Sequence, residues 1–372
     1  MIAAFGGLPV RETDYHVTPS LADVLTLPVP QDALDVIDNS TVQREWSKEL
    51  GHASVLLVTN VMRARALVLQ AAHVQHGEEV GVPANADRSL VESIKQYGAQ
   101  PVFMEINQKL GIVSTNQVRC CWAQFIGGIG QADGVKWVDC ADTLPQLGGG
   151  IWPSVTLFGL HLDVDENKSG ALLVFGDAEF AQSVAKYISP NDTPNCALAL
   201  RQLHRLRGVD QMQGIAYRQS ITLAESRRGV RDAAGLRLAD NPQVPVLAHH
   251  VAIRIPNEID AATFYAYVKA EQTPVMWLPE LRPLHYAAVR NPHRFAASAA
   301  EMSRWLFLPV GPDYSDEEIS HAVLGVVKAA EYLGVRWRID VARATEYAFI
   351  LEEWYGENHD AYRPIFSTDE EV

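Results

Sequence analysis

Three observations predict an α/β fold built on a mostly parallel sheet. Short β-branched runs alternate with helix-like segments from about residue 50 to residue 188, the runs are bounded by Gly or Pro, and 48% of the 372 residues are apolar. The strands are expected at 54–59, 79–83, 101–106, 117–125, 135–140, 154–160 and 170–176, giving a seven-stranded sheet. Between them, 61–76 and 88–98 carry apolar residues at helical spacing, as 178–188 does after the last strand; these are the crossovers. Beyond a polar, Arg-rich stretch at 201–237 the texture changes, with an apolar strand at 246–255, a helix at 261–270 and a strand at 305–308. A further helix is predicted from a cap at Ser315, with Glu318 reaching back, to about Leu333, where Gly334 suits the left-handed turn that stops it. The expected domains are therefore 1–208, large and α/β, 209–334, smaller and α+β, and 335–372, a helical extension. Repeats and low-complexity tracts are absent from the sequence.

Charge narrows the partners. Thirty-one basic against forty-five acidic residues leave a net charge of −14, a field that repels phosphate backbones and anionic lipid, so neither nucleic acid nor membrane is expected. The first residues lack a basic start and a long apolar stretch, and the expected compartment is the cytoplasm. Cys120, Cys121, Cys140 and Cys196 have no C-x-x-C spacing and read as free thiols. The run Asp163-Val-Asp165-Glu-Asn167 starts like a calcium loop, but Lys168 stands where the turn needs Gly and Val174 where it needs Glu. Gly127-Gly128-Ile-Gly130 reads as a loop, because a dinucleotide fingerprint would need a third glycine at Asp133. His73 and His76 read as surface residues, so no metal site is expected. The cluster Arg201, Arg205, Arg207, Arg227, Arg228 and Arg231 reads as a solvated connection, with a diphosphate or an acidic surface as the functional alternative.

Several motifs carry a resemblance. Phe5-Gly-Gly-Leu-Pro-Val-Arg, Glu78-Glu-Val-Gly-Val-Pro-Ala, Tyr97-Gly-Ala-Gln-Pro-Val-Phe-Met-Glu-Ile, Trp137-Val-Asp-Cys-Ala-Asp and Gly170-Ala-Leu-Leu-Val follow one another as in the DegT/DnrJ/StrS sugar aminotransferases. His250-Val-Ala-Ile-Arg-Ile-Pro, His285 and Leu306-Phe-Leu-Pro-Val-Gly-Pro continue the likeness to about residue 334. The resemblance implies the fold of type I pyridoxal phosphate (PLP) enzymes, and a dimer.

Its chemistry departs from the family. A PLP aminotransferase needs a lysine for the internal aldimine, and the family's spacing puts His161 at that position, with no Lys between Lys136 and Lys168. No covalent PLP–lysine is therefore expected. Asp139 matches the carboxylate that pairs with the cofactor's ring nitrogen, whereas Asp142 stands where the family has Gln beside the phenolic oxygen. The phosphate loop has become Thr59-Asn60-Val61-Met62, without its glycine; Asn60 and a charge from Arg63 or Arg65 are what remains there. Thr156 replaces a phosphate-binding serine, and Asn85 and Asp87 replace the stacking aromatic. After Leu203-His-Arg-Leu-Arg-Gly, which resembles a family segment, the long substrate hairpin and the Gly-x-Asn-x-Arg-Met segment that crosses the dimer are missing.

The resulting expectation is a divergent homologue of a sugar or secondary-metabolite pathway that has lost transamination. It would act as a non-catalytic partner, in a homodimer or with an aminotransferase paralogue, or as a PLP-independent protein with His161, Asp142 and Asp163 as a loose acid–base group. A nucleotide-sugar or other small molecule is its expected ligand. The alternative follows a related branch, which dehydrates deoxysugars with histidine in place of lysine: PLP held noncovalently, with His161 as the base.

Overall fold

The computed structural model describes residues 38–113, 118–126, 130–132, 134–148, 150–160, 170–192, 237–238, 246–247, 250–257, 259–281, 294–309 and 316–333, with a few single positions between 196 and 244. Its centre is a seven-stranded sheet. The strands are β1 (Ser54–Val58), β2 (Glu79–Pro83), β3 (Gln100–Met104), β4 (Cys120–Gln124), β5 (Trp137–Cys140), β7 (Val155–Leu160) and β8 (Gly170–Phe175), in the order β1-β8-β7-β5-β4-β2-β3. The pairs β2–β3, β2–β4, β4–β5 and β5–β7 are parallel, while β8 is antiparallel to both of its neighbours. Six strands thus share one direction. Every residue of β7 and β8 is buried, as a strand covered on both faces requires.

Helices supply the cover. On one face lie α2 (Val61–Ala71), α3 (Arg88–Tyr97) and α4 (Ala178–Ala185), whose Leu67, Val68, Leu90, Ile94 and Val184 meet Val80, Trp122, Leu157 and Leu173 of the sheet. The opposite face is packed by α1 (Asn39–Glu49), through Val42 and Trp46, together with Leu50, Ala199, Leu203 and Leu206. The sequence reading assigned no helix to 39–49. Its start is fixed by Asp38, whose side chain accepts from the Thr41 N–H at 2.7 Å, and the Trp46 indole N–H donates to the carbonyl of Ala199 at 3.3 Å.

The crossover helices stop earlier than expected. The first ends at Ala71 instead of 76, because His73 and then Gly77 take left-handed conformations (φ 54° and 79°) that turn the chain into β2. At the end of α3, Gly98 has φ 97° and its N–H reaches the carbonyls of Ile94 and Lys95, a stop that only glycine adopts without strain.

A second sheet has the order β12 (Met276–Trp277), β13 (Trp305–Pro309), β11 (His250–Arg254) and β9 (Arg237–Leu238), all antiparallel. Helices α5 (Ala261–Ala270), α6 (Leu278–Leu281), α7 (Ala296–Met302) and α8 (Asp316–Tyr332) accompany it. The single strand expected at 246–255 is two: β10 (Val246–Leu247) pairs with β6 (Leu144–Pro145), beside the large sheet, and β11 joins the small one. One apolar run is therefore shared between two sheets. Ile106, Leu110 and Ile126 pack with Leu278, Met302, Trp305 and Phe307, which joins the two layers. The cap at Ser315, the stop at Gly334 and the extension 335–372 lie outside the described residues, as do 1–37 and 207–236.

Candidate functional site

In a sheet of this kind ligands bind beyond the carboxyl ends of the parallel strands. Three of the residues singled out by sequence, Asn60, Arg63 and Asp139, stand there around β1, α2 and β5. Asn60 begins α2: its backbone is extended, and its side-chain oxygen accepts from the Arg63 N–H at 2.8 Å. The Arg63 guanidinium turns to Asp192, donating from Nε at 2.7 Å and from Nη2 at 2.9 Å, and also reaches the Tyr187 carbonyl at 3.2 Å. Ser189 donates to the same carboxylate from its N–H and its hydroxyl, and the Thr59 N–H donates to the Asp192 carbonyl at 2.9 Å. Hydrogen bonding from Arg63, reinforced by Ser189, holds the Asp192 carboxyl well below the usual carboxylate range, and the same bond raises the arginine. The turn at Pro190–Asp192 thus lies against the start of α2.

One turn further along α2 is a residue that the sequence reading treated only as a spare charge. Arg65 is fully buried, as is Asp139, the penultimate residue of β5. Arg65 Nε donates to Asp139 Oδ2 at 2.8 Å, and Nη1 donates to the hydroxyls of Ser89 and Ser93 on α3 at 3.0 and 3.2 Å. The other carboxylate oxygen accepts from the Ala141 N–H at 3.1 Å. Arg65 Nη2 is enclosed with no partner. A signal for this network was present: Arg65 stands among Ala64, Leu67, Val68 and Leu69, on the side of the helix that faces the sheet, and a cation placed there needs an enclosed anion.

Four other expected residues have separate surroundings. Asp142 is exposed, in the turn after β5. Thr156 pairs with Val138, one step out of phase with the Asp139–Leu157 pair, so it faces the opposite side of the sheet; its hydroxyl is buried there without a partner. Asn85 is buried, while the Asp87 side chain caps α3 by accepting from the Ser89 N–H at 2.8 Å. The Asp87 N–H donates to Gln124 Oε1 at 2.7 Å, which ties this loop to β4. Ala84 is covered by Phe295 and Phe103. His161, Asp163, Lys168, His285 and the six-arginine cluster lie outside the described residues.

Thiol and metal chemistry gain no support here. None of the four cysteines is in a disulfide, and burial pushes Cys121 up to about 12 and Cys140 well above the ordinary thiol value, away from the thiolate form. Among the described residues no group of three or more His, Cys, Asp or Glu could hold a metal ion, and no helix is long and apolar enough to cross a membrane.

Comparison with known proteins follows the same lines. Residues 38–121 match the sequence model of the DegT/DnrJ/EryC1/StrS aminotransferase family. The likeness to these aminotransferases is borne out. A Brucella abortus DegT/DnrJ/EryC1/StrS aminotransferase structure is 17% identical with a TM-score of 0.57, covering 77% of this chain and 88% of its own. Helicobacter pylori PseC, an aminotransferase of pseudoaminic acid biosynthesis, is 11% identical with a TM-score of 0.59, covering 87% of this chain and 100% of its own. The E. coli GDP-4-keto-6-deoxy-D-mannose-3-dehydratase, solved with bound hydrated PLP, is 12% identical with a TM-score of 0.59, covering 88% of this chain and 100% of its own. At these identities the DegT-type structures share the type I fold with this chain. No curated protein matches it by sequence.

Proposed function

We propose that this chain is a DegT-type aminotransferase homologue that no longer transaminates and works without PLP, as a non-catalytic partner subunit in a small-molecule biosynthetic pathway. The observation that carries the reading is the state of Asp139. Its carboxylate is fully buried, one oxygen held by Arg65 and the other by the Ala141 N–H, so it presents no face to a cofactor ring. The phosphate end points the same way. Asn60 is spent on capping α2, Arg63 on Asp192, and Thr156 faces away. The residues present therefore do not fit PLP, and the sequence offers no lysine between Lys136 and Lys168 to hold it.

The test is a spectrophotometric titration of the purified protein with PLP, then borohydride reduction and mass analysis. Neither an aldimine band nor a lysine adduct is expected. A stoichiometric adduct on a lysine would sink the reading. Tight binding without a reducible adduct would replace it with the dehydratase-type alternative, in which His161→Asn should abolish turnover of a nucleotide-linked keto sugar while leaving the fold intact.

A further inference from the structure

Two ions enclosed in a protein interior need a reason. Removing a carboxylate and a guanidinium from water costs several kcal/mol each, and the pair is tolerated only when its geometry recovers that loss. Here the geometry is specific: Nε faces Asp139 Oδ2 at 2.8 Å, and Nη1 is shared by two serine hydroxyls one helical turn apart on α3. The Ser93 hydroxyl is itself fixed by donating to the Ser89 carbonyl at 2.6 Å, so this acceptor is oriented before the guanidinium arrives. The three elements that meet are α2, α3 and the end of β5, at the carboxyl edge of the sheet.

We propose that the Arg65 guanidinium is this chain's own resident cation for Asp139, standing in for the ring nitrogen of a cofactor and completing the fold without one. This deepens the PLP-free reading and rests on it for the role of Asp139. It makes a claim that the reading alone does not: Arg65 and Asp139 are energetically one unit. Loss of either leaves the other buried and uncompensated, whereas loss of both removes the two charges together and leaves only neutral groups, the two serine hydroxyls and the Ala141 N–H, beside Met and Leu.

The test is a double-variant cycle read by urea unfolding of the full chain with no PLP added: Arg65→Met, Asp139→Leu and the two together. Each single variant should lose roughly a hundredfold or more in the folding equilibrium, and the double variant should be more stable than either. If a single variant gives no folded protein while the double variant does, the unit stands. A double variant no better than the worse single, or an Arg65→Met protein as stable as the unsubstituted one, overturns it. Arg65→Lys, which keeps the charge but loses the planar fork, should fall between the unsubstituted protein and Arg65→Met. The outcomes separate the two claims. PLP binding with the coupling intact would remove the functional reading and leave the pair, and no binding with no coupling would do the reverse.

Discussion

Arg63 and Arg65 stand two residues apart on α2 and have opposite surroundings, which shows what a residue can and cannot disclose by its position. Arg65 falls on the apolar side of the helix and is buried against Asp139, while Arg63 is a third exposed and leans onto Asp192. The periodicity of α2 contained the first fact, because position 65 lies three and four residues before Val68 and Leu69, on the buried face, and an arginine there needs a partner. It could not contain the second, since Asp192 is 129 residues away and reaches Arg63 only through the turn after α4. The Arg63–Asp192 pair makes a prediction of its own. Because the Asp192 carboxyl is held below its ordinary value, its contribution is fully present above the unfolded-state value of about 4 and is lost as the pH falls through the lower folded value. Asp192→Asn should lower the thermal midpoint at neutral pH, and the gap to the unsubstituted protein should narrow as the pH drops below about 4. A gap that stays constant from pH 7 to pH 3 would count against the pair.

At the scale of elements, the alternation of short β-branched runs with amphipathic stretches located all seven strands of the large sheet, because buried parallel strands and their cover helices write distinct periods into the chain. Ends were less legible. The expected strand at 117–125 is Cys120–Gln124, and the helix expected to reach 76 stops at Ala71, where left-handed turns that periodicity does not encode take over. Helix α1 was missed because only Val42 and Trp46 within it are buried, too sparse a stripe to stand out from polar sequence. The site divides similarly: Asn60, Arg63 and Asp139 could be singled out from the sequence, but their partners depend on contacts between distant elements. The cap of α2 offers a check on whether Asn60 serves the helix alone. Asn60→Ala should cost about 1 kcal/mol in urea unfolding, and Asn60→Asp, which keeps the acceptor, should cost little. If Asn60→Ala were neutral, the cap would not be what holds this residue.

For the whole molecule, the decisive contact is where the small sheet's helix α7 lands on the carboxyl edge of the large sheet. Ser298, at the third position of α7, is fully buried: its hydroxyl hydrogen-bonds the Glu105 carboxylate, its N–H donates to Glu105 Oε2 at 3.0 Å, and its oxygen accepts from the Ile106 N–H at 3.0 Å. Beside it, Phe295 covers Ala84 in the loop after β2. The small layer is therefore fastened over β2 and β3, on the same edge where Arg65 encloses Asp139. These contacts should tie the two layers into one unfolding unit. Ser298→Ala removes one acceptor and leaves the buried Ile106 N–H without a partner, a loss of about 1–3 kcal/mol. The expected result is a lower urea midpoint with the transition still single. If the layers were only loosely apposed, Ser298→Ala would leave the midpoint unchanged, and limited proteolysis would cut between the two sheets as readily before the substitution as after it.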